Sequence, residues 1–243
     1  MSKNPGRIQL TPAYILHHQP YRDTSRILEV HTREFGRLSV FARGVRGPKA
    51  KLASVLQPFQ LLLLSWTGRG EAPQLTGAEV TNDVRVLPPA HLMAAFYLNE
   101  LLLKLTTRHD PHPMLFDSYH DALTRLKQEE PVHRALRIFE KRLLEEVGYG
   151  LDLGTEAQSG RGIDVETFYQ FRPQQGLVPS TPNAPGALAG SSLISLARED
   201  LGGPGELEDS RRLLQAAIAH CLEGRELATR TVARAIARRE PRT

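Results

Sequence analysis

Arg37-Leu38-Ser39-Val40-Phe41-Ala42-Arg43 alternates in the manner of a β-strand. Successive strand side chains project to opposite faces, so Leu38, Val40 and Ala42 share one side and Arg37, Ser39, Phe41 and Arg43 the other. The first set is what a sheet buries. The second places an aromatic ring between guanidinium groups, an arrangement suited to following a polyanion while stacking on its bases. A solvated polar face with one stray phenylalanine is the competing explanation for seven residues taken alone, and the flanking sequence tips the balance against it. From Arg22 to Lys51, eight Lys/Arg stand against three Asp/Glu. The strand runs into Ala42-Arg43-Gly44-Val45-Arg46-Gly47-Pro48-Lys49-Ala50-Lys51, where four cations alternate with small residues. Glycine lets the backbone approach a phosphate, and Arg and Lys neutralise it. The Gly-Lys-Ser/Thr ending of a nucleotide P-loop is missing. A basic loop that binds nothing is the alternative. The candidate nucleic-acid residues are Arg22, Arg26, Arg37, Phe41, Arg43, Arg46, Lys49, Lys51 and Arg69.

Around this segment the first third of the chain reads as five strands: Ala13–His17, Arg26–Thr32, Arg37–Ala42, Phe59–Trp66 and Gln74–Val80. Turn chemistry separates them, at Gln19–Asp23, Arg33–Gly36, Gly44–Pro48 and Gly68-Arg69-Gly70. Five short strands in fewer than ninety residues fit an oligonucleotide-binding (OB) barrel better than a sandwich. After Pro88-Pro89 the period changes to 3.6, with helices expected at 90–107, 114–127 and 131–147. In the third of these Val132, Leu136, Phe139, Leu143 and Val147 share a face. Residues 148–190 are irregular, with a hairpin across Phe168–Phe171 and Leu177–Val178 and a flexible loop expected from Ser180 to Gly190. Helices resume at about 191–199, 206–222 and 226–239. The fold class is α+β: an OB-type barrel in residues 1–85, then a mainly helical domain in 86–243 with a small β-containing insert at about 150–190.

The 243 residues carry a net charge of +4, concentrated in the barrel: residues 1–85 hold 12 Lys/Arg and 6 Asp/Glu. Cys221, the single cysteine, permits neither an internal disulfide nor a thiolate metal cluster. No apolar leader is evident, and no apolar run, Leu61–Leu64 included, is long enough to span a bilayer. A soluble cytoplasmic protein is expected.

No hydrolase elbow, zincin pair or dinucleotide fingerprint is present. His109-Asp110-Pro111-His112 reads as a tight helix connection, not a metal site, because zinc needs more ligands than it offers. On the third helix, Arg134, Arg137 and Lys141 form a second basic ridge beside Val132, Leu136 and Phe139. Cations beside an apolar groove suit an acidic peptide that ends in a hydrophobic residue; an ordinary amphipathic helix is the alternative. Arg230, Arg234 and Arg238 repeat the i,i+4 theme on the last helix.

Short segments in order along nearly the whole chain resemble the bacterial DNA repair protein RecO family. They include Ala13-Tyr14-Ile15-Leu16-His17, Tyr21-Arg22-Asp23-Thr24-Ser25, Phe35-Gly36-Arg37-Leu38 and Ala42-Arg43-Gly44-Val45-Arg46. They continue through Leu56-Gln57-Pro58-Phe59, Gly68-Arg69-Gly70-Glu71 and Tyr97-Leu98-Asn99-Glu100-Leu101-Leu102 to Ala135-Leu136-Arg137-Ile138-Phe139-Glu140, Gly148-Tyr149-Gly150 and Gly224-Arg225-Glu226-Leu227. The resemblance implies an OB barrel, a helical domain and a small β-containing insert. It implies a non-enzymatic recombination mediator that binds single- and double-stranded DNA and anneals complementary strands. It further implies work with a RecR-like partner to place a RecA-type recombinase on DNA coated by single-stranded DNA-binding protein (SSB), near the nucleoid. Docking of the acidic, Phe-ending SSB tail on the helical domain is implied as well, with Arg137 at a matching basic position. Many relatives bind zinc through four cysteines in the insert. Here Asp152–Gly160 contains none, so no metal or other cofactor is expected. A protein-interaction adaptor whose basic loop grips an acidic partner remains the alternative function.

Overall fold

In the chain, Leu38, Val40 and Ala42 face inward and are buried, as strand alternation requires. The computed structural model describes residues 6–46, 52–81, 85–128 and 130–237, with side chains through 232. Strands β1 (Arg7–Tyr21), β2 (Ser25–Thr32), β3 (Gly36–Ala42), β4 (Leu62–Thr67) and β5 (Gln74–Val80) form a closed barrel in the order β1-β2-β3-β5-β4. The fifteen residues of β1 serve both neighbours, pairing with β4 over Arg7–Ala13 and with β2 over Ala13–Tyr21. Register shifts between Ile8 and Thr11 and between Ile15 and His17 bend it around the barrel, as bulges do. A parallel contact, Phe41 with Gln74, joins β3 to β5. Ala13, Ile15, Leu28, Val30, Leu62, Leu64 and Trp66 fill the interior.

Three helices follow: α1 (Leu92–Leu105), α2 (Pro113–Lys127) and α3 (Val132–Glu146). Pro113 opens α2, where its fixed φ suits the first turn and its missing N–H is no loss. The insert is a small sheet in which β6 (Phe168–Arg172) pairs with β7 (Gly176–Ser180) and with β8 (Leu188–Ala189). The expected flexible loop from Ser180 to Gly190 is therefore partly ordered. Its apolar end buries Ala187 and Leu188, and the Ala189 N–H donates to Asp209 at 3.0 Å. Helices α4 (Gly190–Arg198), α5 (Pro204–Cys221) and α6 (Ala228–Ala237) complete the fold. No helix among the described residues is long and apolar enough to cross a membrane.

Barrel and helices share a core. Tyr14, Leu16 and Phe59 pack with Leu98, Leu101, Phe116, Tyr119 and Phe139. The Asn99 side-chain amide donates to the Leu16 carbonyl at 2.8 Å and accepts from the Tyr119 hydroxyl. The Tyr14 hydroxyl meets His120 Nδ1 at 2.6 Å. Close approach of the α1–α2 connection demands glycine at position 36. Gly36 has φ of 65°, and a Cβ there would lie 2.1 Å from the Asp110 carbonyl oxygen.

His31 lies in this seam, its ring 5.5 Å from that of Phe116 and 6.2 Å from that of Tyr119. Neither ring nitrogen has a partner. Burial, followed by the charges of His112 and Arg37, lowers its pKa from 6.5 to about 4. The neutral imidazole is thus favoured in the fold and the charged one in the unfolded chain. The stability it contributes is complete above pH 6.5 and is lost as pH falls toward 4, by about 3 kcal/mol. Denaturant melts of wild type and His31→Phe across this window should show the wild type losing that much more than the variant.

Candidate nucleic-acid interface

The outer face of β2 and β3 has two ends with different fates. At one end the registers Tyr21↔Ser25 and Ile27↔Phe41 bring Tyr21 and Phe41 to the same side of the sheet. Their rings meet edge to face, with centroids 5.5 Å apart and planes at 85°. Tyr21 is 40% exposed and Phe41 is half-buried. The Arg22 guanidinium lies 5.4 Å from the Tyr21 ring centre. Arg22 itself occupies the left-handed region, φ 51°, in the β1–β2 turn. Arg46 folds back on this turn, its backbone N–H donating to the Thr24 carbonyl at 2.9 Å and its side chain to the Arg22 carbonyl at 3.1 Å. Arg43 is exposed just past β3. The Phe41 N–H bonds the Pro73 carbonyl at 2.9 Å, which draws in the β4–β5 loop carrying exposed Arg69. Asp23 and Glu71 stand in the same turn and loop, so the set is basic but not uniformly so. Lys49 and Lys51 lie outside the described residues.

Two of the nine residues inferred from sequence stand elsewhere. Arg26 sits opposite Ala42 in the register, on the other face of the sheet from Phe41. There its charge adds to burial in lowering the pKa of His18. Arg37 is turned into the seam. It donates to Glu29 and, at 2.8 Å, to the Thr106 carbonyl. Arg108 clamps the same Glu29 with contacts of 3.0 and 2.7 Å, and the Ser39 hydroxyl donates to it at 2.8 Å. Burial alone would raise the Glu29 pKa. Hydrogen bonds from Arg108 and Ser39 and the charges of Arg108 and Arg37 outweigh it and hold the carboxyl below its usual value. Arg37 is thus spent on a buried carboxylate, and its expected place beside Phe41 is corrected. Tyr21 was not among the residues inferred; reading the alternation across the Arg22–Thr24 turn, as one continuous sheet surface, would have found it.

The second basic ridge also divides. Arg134 donates to the Glu199 carbonyl at 3.2 Å, and Lys141 pairs with Glu199 at 3.2 Å and Glu145 at 3.0 Å. Both therefore tie α3 to the end of α4. Positions seven apart nearly superimpose on a helix, whereas Arg137 is turned about 60° away. Arg137 instead borders a groove of about 380 Å³. Met93, Ala94, Val132 and Leu136 supply its apolar wall, and Arg230 of α6 lines it together with Arg137. Glu100 positions α6 by accepting from the Ala228 and Thr229 N–H groups at 2.7 and 2.9 Å.

Residues 7–84 match the family described as Recombination protein O N terminal, and residues 89–231 match Recombination protein O C terminal. The chain belongs to the RecO family. It is 42% identical over 231 residues to the DNA repair protein RecO of Methylococcus capsulatus, covering 95% of each chain. It is 39% identical over 229 residues to that of Ralstonia nicotianae, covering 93% of this chain and 84% of the relative. With that of Nitrosococcus oceani it shares 42% over 226 residues, 92% of each. A role in DNA repair and recombination follows from this membership.

The zinc site of many RecO relatives has no counterpart in the donor set here. Asp152 accepts from the Gly154 and Thr155 N–H groups at 2.9 and 3.0 Å. Glu156 accepts from those of Gln158 and Ser159 at 3.1 and 2.6 Å. These carboxylates fold the loop on itself and offer neither the thiolates nor the imidazoles of a structural zinc site. Among the described residues no group of three or more His, Cys, Asp or Glu could hold a metal ion. Dialysis against a strong chelator should leave the thermal unfolding midpoint unchanged; a fall of several degrees would reveal a structural metal.

Proposed function

We propose that this RecO-family chain is a non-enzymatic mediator that binds single- and double-stranded DNA through the Tyr21/Phe41 end of its barrel and anneals complementary strands. With a RecR-like partner it helps place a RecA-type recombinase on SSB-coated DNA, in the cytoplasm at the nucleoid. The observation that carries this reading is the ring pair flanked by Arg22, Arg43 and Arg46 on an open sheet surface. Annealing needs no bond-making by the protein. It needs the mutual repulsion of two phosphate chains screened while bases remain presented for pairing. The groove lined by Arg137 and Arg230 suits the acidic, Phe-ending SSB tail, with apolar wall for the ring and guanidinium groups for the carboxylates.

Stacking and charge separate in a salt titration of oligothymidine binding by the full chain. Tyr21→Ala/Phe41→Ala should weaken binding ten- to a hundredfold, at about 1–3 kcal/mol per stacked base, without changing the salt slope. Arg43→Ala/Arg46→Ala should flatten the slope by about 0.7 for each phosphate that the protein no longer neutralises. Both should slow annealing of complementary oligonucleotides, with and without SSB. Wild-type affinity and slope in both variants would remove this surface from the DNA path and favour an adaptor that grips an acidic protein.

A further inference from the structure

Behind the Arg137 groove lies a carboxylate that the groove's proposed ligand does not require. Glu140 is fully buried, and Arg137 is 4% exposed. Arg137 Nη2 donates to Glu140 Oε1 at 2.6 Å, and the Tyr97 hydroxyl donates to the same oxygen at 2.6 Å. Arg230 donates in turn to the Tyr97 hydroxyl at 3.2 Å. Two atoms of this network have no partner: Glu140 Oε2 and Arg137 Nε. Both atoms are shielded from solvent, where a polar group left without a partner is destabilising.

We infer that Glu140 is the internal rival of a carboxylate entering the groove, so that docking of an acidic carboxy-terminal peptide is coupled to uptake of one proton from solvent at Glu140 Oε2. The inference rests on the peptide-groove reading above and adds its regulation. A peptide carboxylate that engages the Arg137 guanidinium from the groove comes within the width of that group of Glu140. Two carboxylates held that closely do not readily both stay ionised. Oε1 keeps its donors from Arg137 and Tyr97, leaving Oε2 as the oxygen to be protonated. Already in the free protein burial holds the Glu140 carboxyl above its usual value, against the opposing influence of Arg137, Tyr97 and Arg230. The other charged or titratable groups bordering the groove are His133 on α3 and Arg211 on α5; Arg211 is paired with Glu208.

The sign follows. A group protonated on binding favours the complex at low pH, and affinity falls as pH rises, by up to tenfold per unit. The test uses the full chain and a fluorescein-labelled acidic hexapeptide ending in phenylalanine, as free acid and as C-terminal amide, from pH 5.5 to 8.5. For wild type the free acid should bind more weakly as pH rises, and calorimetry in two buffers of different ionisation enthalpy should report net proton uptake. Glu140→Gln keeps an acceptor for Tyr97 and Arg137, and should bind the free acid more tightly at pH 8 with a flat profile. The same pH slope in Glu140→Gln would assign the proton to His133, and a flat wild-type profile would also overturn the coupling while leaving the groove as a docking site. Failure of wild type to bind either peptide would instead overturn the groove reading itself, and the inference with it.

Discussion

The carboxylate of Glu29 organises the junction of barrel and helices. It is nearly buried on the outer face of β2, where an ionised group is stable only if its oxygens are fully engaged. Arg37 from the neighbouring strand, Ser39 beside it and Arg108 from the α1–α2 connection supply the donors. Arg37 passes the link on to the Thr106 carbonyl, and the His109 N–H returns to the Arg37 carbonyl at 2.8 Å. Glycine at position 36 lets this connection lie against the strand. Charge and backbone hydrogen bonds thereby close one end of the sheet surface over His31 and the ring of Phe116.

Closing one end defines what the other can do. The strand that spends Arg37 on Glu29 presents Phe41 and then Arg43 four and six residues on. Strand rise places these about 13 and 20 Å away, beyond the helical cover. The two basic clusters of the chain thus have opposite characters. Cations at the covered end and at Glu199 are structural, each matched to a carboxylate or carbonyl. Those around Tyr21 sit in an exposed turn whose side chains reach solvent. Counting positive charges cannot distinguish the two; tracing the partner of each does.

That distinction also marks what the sequence could and could not convey. Strand alternation at Leu38–Ala42 and helical periodicity at Val132–Leu143 specify burial directly, and β2, β3, β5 and the bundle helices lie close to where those periods put them, whereas β1, expected over Ala13–His17, runs from Arg7 to Tyr21 and β4, expected from Phe59, begins at Leu62. The two-residue strand Leu188–Ala189 carries too short a pattern to reveal its pairing with β6. Arg37 looked like a surface cation because its acceptors are remote: Glu29 lies on another strand and Thr106 sixty-nine residues away. The Arg134–Arg137–Lys141 ridge divides for a related reason. Glu199 draws Arg134 and Lys141 toward the end of α4, and Glu140 holds Arg137, about 60° round the helix. The Asp152 and Glu156 loop was legible only as an absence of cysteine; that carboxylates take over the turn is a tertiary fact.

Hydrogen–deuterium exchange of the full chain with and without oligothymidine tests the division of the sheet surface most directly. The account predicts slowed exchange in the β1–β2 turn around Arg22, at Phe41–Arg46 and in the β4–β5 loop, with Glu29–Arg37 and Thr106–Asp110 unchanged. Protection confined to the Glu29–Arg37 and Thr106–Asp110 segments, with the Tyr21 end unaffected, would contradict it.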